Sequence, residues 1–334
     1  MLFRSGALQV GLTIAATYLL VAQLGLAIGP AVFAGFLVSL SSTAIVMRLY
    51  QETGTINTSH GRLSLAVLIF QDIAIVPLML FAPILAGAGG DPFPQLVELA
   101  LKALGVVILI IVASRWIVPK AFFFIARASS RELFLISTSV LCFAVAWLTA
   151  ELGLSLALGA FMAGLIISES EYSHQALENI LPFRDVFTSF FFVSVGMLLD
   201  VRIVVEQAGV VFGAALVVIF LKACIVGFVA LALGYPLHTA LVTGLGLAQV
   251  GEFSFVLSRV GVDTGLLNQQ HYGLFLAISV LTMVCTPFLM RAGHWAGQRI
   301  AAWPLPSALK LGLFADRLGL ENREQDRPND INDH

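Results

Sequence analysis

The chain has 334 residues, of which 59% are hydrophobic and 11% are charged, and its formal net charge is −2. Its mean hydropathy of +0.95 excludes a soluble domain of ordinary composition and indicates a polytopic membrane protein. The few charges lie between apolar spans, so we expect no nucleic-acid partner.

Repeated apolar stretches of about twenty residues predict membrane-spanning helices, because outer-membrane strands would alternate over roughly ten residues. The predicted fold is therefore all-α. Hydropathy indicates spans at residues 9–29, 30–50, 62–86, 96–118, 133–151, 153–168, 186–200, 209–233, 238–260 and 272–291, with the sixth and seventh short. We expect a transmembrane domain and a tail, at residues 1–292 (core 9–86 and 209–291, linker and dimer-side helices 96–200) and 293–334.

The basic residues predict an orientation for these spans. If the spans alternate, one side of the membrane has Arg202 and Arg259, and the other side has far more basic residues. Those residues are Arg4, Arg48, Arg62, Lys120, Arg127, Arg131, Arg184, Arg291 and Arg299. The positive-inside rule makes the richer side cytoplasmic, so both termini of this chain are predicted to lie in the cytoplasm, with the spans in the plasma (inner) membrane.

Two ionisable side chains lie close to the centres of predicted spans. Asp72, preceded by Gln71, is in the third span, and Lys222 is in the eighth. A charge at such depth is costly and is functional by default, although a structural ion pair between Asp72 and Lys222 is the alternative. Asp72 could hold a proton, a metal cation or the charge of Lys222, but not all together. Mutually exclusive occupancy of one carboxylate is the minimal chemistry of cation/proton exchange.

Two further spans are interrupted by small or polar residues. The second span contains Ser39 and a run of serine and threonine at 41–43, and the ninth has three glycines within 243–252, where Gln249 and Glu252 also lie. Paired interruptions, one in each half of a chain, are typical of inverted-repeat transporters with broken helices. The simpler explanations are helix packing for the hydroxyls, a close helix contact for the glycines and a structural role for Glu252.

At these positions the chain resembles the monovalent cation:proton antiporters of the potassium-efflux (Kef) type, relatives of the sodium/proton exchangers. The matching stretches follow one another in family order, at 41–44 (SSTA), 61–62 (GR), 70–73 (FQDI), 182–184 (PFR), 191–197 (FFVSVGM), Lys222 and 248–253 (AQVGEF). The resemblance implies an inverted-repeat sodium/proton-antiporter fold with two crossed broken helices. It also implies a separate dimerisation domain, and hence a homodimer.

The resemblance also assigns roles to residues. It makes Asp72 the ion- and proton-binding carboxylate with Gln71 as its neighbour, and Lys222 the lysine that pairs with the acid. Four residues fall at the two helix breaks, namely Ser42, Thr43, Gln249 and Glu252. Against the family pattern we expect a fragment that lacks N-terminal helices and a C-terminal nucleotide-binding domain, with no cofactor in this chain.

These observations favour a secondary transporter that exchanges K⁺ or Na⁺ for protons by alternating access. The alternatives are a cation channel with Asp72 as a pore charge, a membrane sensor or scaffold on an antiporter fold, and a cation-coupled symporter. An enzyme is not expected, because the six histidines lie in loops, at span ends or in the tail without a nucleophile or ligand cluster. Cys142, Cys224 and Cys285 lack paired or ligand-like spacing, so neither a disulfide nor a resident metal is predicted.

Overall fold

The computed structural model describes residues 2–87, 130–151 and 156–301, together with scattered positions between 94 and 125. Every regular element among these residues is helical, which confirms the all-α prediction. Most of the predicted span 96–118 and most of the tail 293–334 lie outside the described residues.

The chain divides into two compact units, Met1–Leu78 with Asp200–His334, and Met79–Leu199. The first unit contains α1 (Leu2–Ala22), α2 (Ile28–Ser39), α3 (Thr43–Glu52), α8 (Val201–Glu206), α9 (Ala208–Ala232), α10 (Leu237–Gly246), α11 (Glu252–Asp263) and α12 (Gln269–Ala301). The second contains a short π-helix (Ala113–Ile117), α5 (Arg131–Glu151), α6 (Leu156–Ser168) and α7 (Ser173–Leu198). Helix α4 (Ser59–Leu85) begins in the first unit and ends in the second.

Six of the described segments are long and apolar enough to cross a membrane. They are α1, the broken span formed by α2 and α3, α4, α5, α9 and α12. Helix α7 is bent by 40° between Arg184 and Val186 and would be a seventh span. Shorter apolar helices, α6 and α10, accompany them. The prediction of a polytopic all-α membrane protein is confirmed.

Several predicted span boundaries differ from the ends of the helices, and two of the differences concern α1 and α7. Helix α1 ends at Ala22 and not near residue 29, because the chain turns at Gly25, whose φ of 83° suits glycine. The seventh span is not short, since α7 begins at Ser173 and not at residue 186. Hydropathy marks only the apolar second half of that helix, and Pro182, which cannot donate a helical hydrogen bond, lies just before the bend.

Small residues bring the helices of the first unit close together. A Cβ atom on Gly35 would lie 2.8 Å from the carbonyl oxygen of Ile14, so α1 and α2 can approach this closely only with glycine at that position. A Cβ atom on Gly244 would lie 2.7 Å from the carbonyl oxygen of Ala223, which sets the distance between α9 and α10. These contacts place α1 and α9 directly against the two broken spans.

Three histidines that are distant in the sequence meet in the first unit. The ring centroids of His60 and His294 are 5.1 Å apart, those of His60 and His238 are 6.0 Å apart, and those of His238 and His294 are 6.5 Å apart. Sequence analysis placed these side chains at span ends but did not bring them together. The described part of the chain contains no group of His, Cys, Asp or Glu arranged to hold a metal ion.

Candidate functional site

The two interrupted spans are broken helices in the structure. Helix α2 ends at Ser39 and α3 begins at Thr43, while α10 ends at Gly246 and α11 begins at Glu252. Each break exposes carbonyl groups at one helix end and N–H groups at the next, and a buried segment must pair these groups with something else. The partners of these groups define the site.

The two breaks touch each other. The Gly251 N–H donates to the carbonyl oxygen of Leu40 at 3.0 Å, and the Ser41 hydroxyl donates to the carbonyl oxygen of Leu247 at 2.9 Å. A Cβ atom on Gly251 would overlap the Ser41 carbonyl group. The backbone at Gly251 is extended, with φ −96°, so glycine is required here for space and not for conformation.

Lys222 binds the carbonyl groups of both breaks. Its ammonium group is fully buried and donates to the carbonyl oxygens of Leu40 at 2.8 Å and Gln249 at 2.6 Å, and to the Ser41 hydroxyl at 2.9 Å. Leu40 is the C-terminal cap of α2, where the helix dipole is negative and a cation is stabilised. All three donors of the ammonium group are therefore used.

This arrangement differs from the pairing that the resemblance implies. Among the described residues no ion pair joins Lys222 to a carboxylate, and its hydrogen bonds go to main-chain and hydroxyl oxygens. The partial negative charges of the carbonyl groups take the place of a carboxylate partner. A charge pair between Lys222 and Asp72 stays a prediction.

Two carboxylates meet at the N-terminal turn of α3. The Thr43 hydroxyl donates to Asp72 Oδ1 at 3.1 Å, and the Ala44 N–H donates to Glu252 Oε1 at 3.1 Å. Ser42 is the N-cap of α3, and its hydroxyl accepts from the Ile45 N–H at 3.3 Å. Asp72 lies at the centre of α4, and Glu252 is the first residue of α11. The positive end of the α3 dipole favours both negative charges.

A second set of polar contacts closes the first break through side-chain amides. Gln71 is 1% exposed, and its Oε1 accepts from the Ser41 N–H at 2.7 Å. Its Nε2 donates to Oε1 of Gln9 at 2.7 Å, and Gln9 Nε2 donates to the carbonyl oxygen of Ser39 at 3.1 Å. Sequence analysis missed Gln9. Its signal is a buried polar face on α1, where residues recur every four positions: Ser5, Gln9, Thr13 and Thr17.

The second break contains buried polar atoms without a hydrogen-bond partner in the described part of the chain. Gln249 is fully buried, and neither its Oε1 nor its Nε2 has a hydrogen-bond partner among the residues that the structure describes. The same holds for Oε2 of Glu252. Buried amide and carboxylate atoms are rarely left unpaired, because each costs about 1–3 kcal/mol. Carboxylate, amide and hydroxyl oxygens are hard ligands that suit small cations, and a carboxylate also accepts a proton.

All seven residues singled out from the sequence lie at the two breaks or at α4 and α9 beside them. The structure brings Asp72, Thr43 and Glu252 together at the N-terminal end of α3. It places Lys222 at the C-terminal end of α2. Gln71 contacts the first break through Ser41, while Ser42 and Gln249 lie within the breaks themselves.

Several curated proteins are similar to this chain. A protein of Alkalimonas amylolytica that carries the name K⁺ efflux antiporter KefB is 36% identical over 303 residues, which are 88% of this chain and 46% of that relative. K⁺ efflux antiporter 6 of Arabidopsis thaliana is 34% identical over 264 residues, covering 78% of this chain and 44% of the relative. K⁺ efflux antiporter 1, chloroplastic, from the same plant is 33% identical over 324 residues, covering 95% and 27%.

The resemblance to Kef-type antiporters is thus confirmed, and this chain spans about half the length or less of these relatives. The sequence profile of the family described as sodium/hydrogen exchanger, transmembrane, matches residues 2–291, which include both broken helices, α4 and α9. The chain therefore belongs to the sodium/hydrogen exchanger family.

Proposed function

We propose that this chain exchanges a monovalent cation, K⁺ or Na⁺, for protons at Asp72 by alternating access. The observation that carries the proposal is that two carboxylates bind to consecutive residues in the first turn of α3. Asp72 accepts a hydrogen bond from Thr43, and Glu252 accepts one from Ala44. Several relatives bear the names of K⁺ efflux antiporters, which supports the class of reaction and K⁺ as one candidate ion.

The exchange follows from what one carboxylate can hold. A deprotonated Asp72 accepts a hydrogen bond from the Thr43 hydroxyl and still has oxygen lone pairs that can bind a cation. A protonated Asp72 has lost the negative charge that attracts the cation. Cation and proton therefore compete for the same oxygens. If the site faces one side of the membrane with a cation bound and returns with a proton bound, one cation is exchanged for one proton.

The unpaired atoms of the second break supply further ligands in this mechanism. Oε1 of Gln249 and Oε2 of Glu252 accept no hydrogen bond from the described residues, so both are available to a dehydrated cation. The hydroxyl oxygens of Ser42 and Thr43 add neutral ligands at the α3 terminus. Lys222, fixed among carbonyl groups, supplies a positive charge that remains at the site when the cation has left.

We propose that the protein lies in the plasma (inner) membrane of the cell, with both ends of this chain on the cytoplasmic side. The excess of arginine and lysine in alternate loops supports this orientation. We also propose that the complete protein is a homodimer, and that its core and dimer-side helices follow the division expected from the sequence, at 9–86 with 209–291 and at 96–200.

The test is exchange in liposomes that contain a pH-sensitive dye. Addition of K⁺, Na⁺ or Li⁺ outside the wild-type protein should drive proton efflux in response to the transported cation. The Asp72→Asn variant should lose this response by at least about 100-fold, the scale of about 2.7 kcal/mol of lost interaction. Asp263→Asn is the matched control, because Asp263 is exposed and pairs with Arg259 on the helix surface.

Two results would contradict the proposal. Normal exchange by Asp72→Asn would remove Asp72 from the mechanism. Cation entry without proton movement, following voltage alone, would establish a channel.

A further inference from the structure

We propose that Gln9 is a positioning residue of the ion site, which holds Gln71 and the first helix break in the geometry that Asp72 needs. Gln9 lies on α1 and is not among the residues to which the proposed exchange assigns a role. The inference rests on the proposed function for its activity readout, and its structural basis is a chain of hydrogen bonds that spans the break.

That chain joins the two sides of the break through two amides. The Ser41 N–H donates to Gln71 Oε1 at 2.7 Å, Gln71 Nε2 donates to Gln9 Oε1 at 2.7 Å, and Gln9 Nε2 donates to the Ser39 carbonyl oxygen at 3.1 Å. Gln9 Nε2 also donates to the Thr13 hydroxyl at 3.1 Å. Gln9 is fully buried, so water does not compete for these bonds.

The direction of this chain is fixed at both ends. A main-chain N–H such as that of Ser41 can only donate, so the oxygen of Gln71 must face it. The nitrogen of Gln71 then faces Gln9, whose oxygen must accept and whose nitrogen must donate to a carbonyl group that can only accept. A flip of either amide would place two hydrogen-bond donors, or two acceptors, opposite each other. The two side chains therefore specify one arrangement.

The amides replace the hydrogen bonds of a continuous helix. In an unbroken α2 the Ser41 N–H would donate to the Leu37 carbonyl group, which here accepts from the Ser254 hydroxyl at 2.7 Å. The Ser39 carbonyl group, at the last residue of α2, likewise receives its bond from Gln9. Gln9 and Gln71 thereby keep the backbone from closing into a regular helix at residues 40–42.

The hydrogen bonds of Gln9 affect the position of Asp72 through the neighbouring residue, Gln71. Gln71 and Asp72 are adjacent on α4, and their partners Ser41 and Thr43 lie on the two sides of the N-cap residue of α3. A Gln71 side chain that is fixed by Gln9 therefore fixes the depth and rotation of Asp72 against the α3 terminus. Gln9 acts on the ion without touching it.

The test compares Gln9→Met, Gln9→Glu and Thr17→Val in liposomes made with the full chain. Methionine keeps the length of the side chain and removes all three of its hydrogen bonds, to Gln71, Ser39 and Thr13. We expect Gln9→Met to raise the apparent KM for the transported cation at least about tenfold and to lower the maximal rate. Thr17→Val is the matched control, since Thr17 is 5% exposed on the same face of α1 and its hydroxyl has no partner among the described residues.

Gln9→Glu separates positioning from folding within one protein. A protonated glutamic acid can accept from Gln71 and donate to the Ser39 carbonyl group, whereas the carboxylate cannot donate. The ratio of variant to wild-type exchange should therefore rise as the pH falls. A double variant, Gln9→Met with Gln71→Leu, should be no worse than Gln71→Leu alone, because both act through the same chain of bonds.

The outcomes distinguish this inference from the proposed function. A wild-type protein that exchanges no cation for protons would overturn the proposed function. A wild-type protein that exchanges, with Gln9→Met at wild-type KM and rate, would overturn the positioning role. A Gln9→Glu ratio that does not change with pH, or losses that multiply in the double variant, would overturn it as well.

Discussion

The two broken helices contain the same kind of interruption but treat their polar groups differently. At the first break, Ser42 caps α3, and Ser41 uses its N–H and its hydroxyl in bonds to Gln71, Leu247 and Lys222. At the second break, α11 starts after a glycine that has no side chain with which to cap the helix. The Gln249 amide and one oxygen of Glu252 have no partner in the described part of the chain.

This difference matches the two roles proposed for the breaks, which are to position Asp72 and to bind the cation. The first break is closed by the protein's own hydrogen bonds, and in the proposed mechanism it positions Asp72. The second break has buried oxygen atoms without a partner among the described residues, and in the proposed mechanism these atoms bind the dehydrated cation. Lys222 joins the two, since it binds one carbonyl group from each break.

The largest effect on stability is expected at Lys222, where the two breaks share one cation. Lys222→Met removes the ammonium donor of the Gln249 carbonyl group and leaves the Leu40 carbonyl group with the Gly251 N–H alone, which should lower the free energy of unfolding by about 2–4 kcal/mol. Thermal unfolding in detergent measures this effect. Lys120→Met is the control, because Lys120 is exposed.

The same experiment tests the alternative partner of Lys222. If the ammonium group paired with Asp72 instead, the double variant with Asp72→Asn would recover much of the lost stability. The arrangement with carbonyl partners predicts that the two losses add.

A smaller loss is expected where the breaks touch. Gly251→Ala introduces a methyl group against the Ser41 backbone, which cannot move aside as a flexible side chain could. We expect about 1–3 kcal/mol of destabilisation together with reduced exchange. Gly213→Ala, at a helical glycine with open space around its Cβ position, should lower neither stability nor exchange, because alanine favours a helix more than glycine does. Equal behaviour of the two variants would show that the breaks do not depend on close contact.

The sharpest comparison uses one substitution in each break. Ser41→Ala removes three hydroxyl contacts and should cost about 1–2 kcal/mol of stability. Gln249→Leu removes an amide that has no partner among the described residues, so stability should be kept or increased while the apparent KM for the cation rises. We thus expect Ser41→Ala to have the larger effect on stability and Gln249→Leu the larger effect on transport. A large loss of stability in Gln249→Leu would contradict the two roles proposed for the breaks.

Much of this site could be predicted from the sequence, because charge in an apolar span is conspicuous. Asp72 and Lys222 stand out against their neighbours, and the glycines at 243–252 weaken a helix whatever surrounds it. The interruptions at 41–43 and 243–252 marked the two breaks, and the resemblance assigned residues to them. Each interruption depends on the cost of placing a residue in a membrane helix and not on its partners.

The partners could not be predicted, because they depend on how helices pack. The carbonyl groups that bind Lys222 belong to residues 182 and 27 positions away, and an ammonium group has no preference in sequence between a carbonyl group and a carboxylate. Gln9 is uncharged and lies among apolar residues, so one amide carries a weak signal. Its role becomes visible only where α1 meets the first break.

The central claim is that a cation and a proton compete for Asp72. Calorimetric titration of the purified protein with K⁺ or Na⁺, in two buffers of different ionisation enthalpy, counts the protons released for each cation bound. At a pH where Asp72 is protonated, we predict release of close to one proton per cation in the wild type and neither binding nor release in Asp72→Asn. Cation binding to the wild type without proton release would contradict the account.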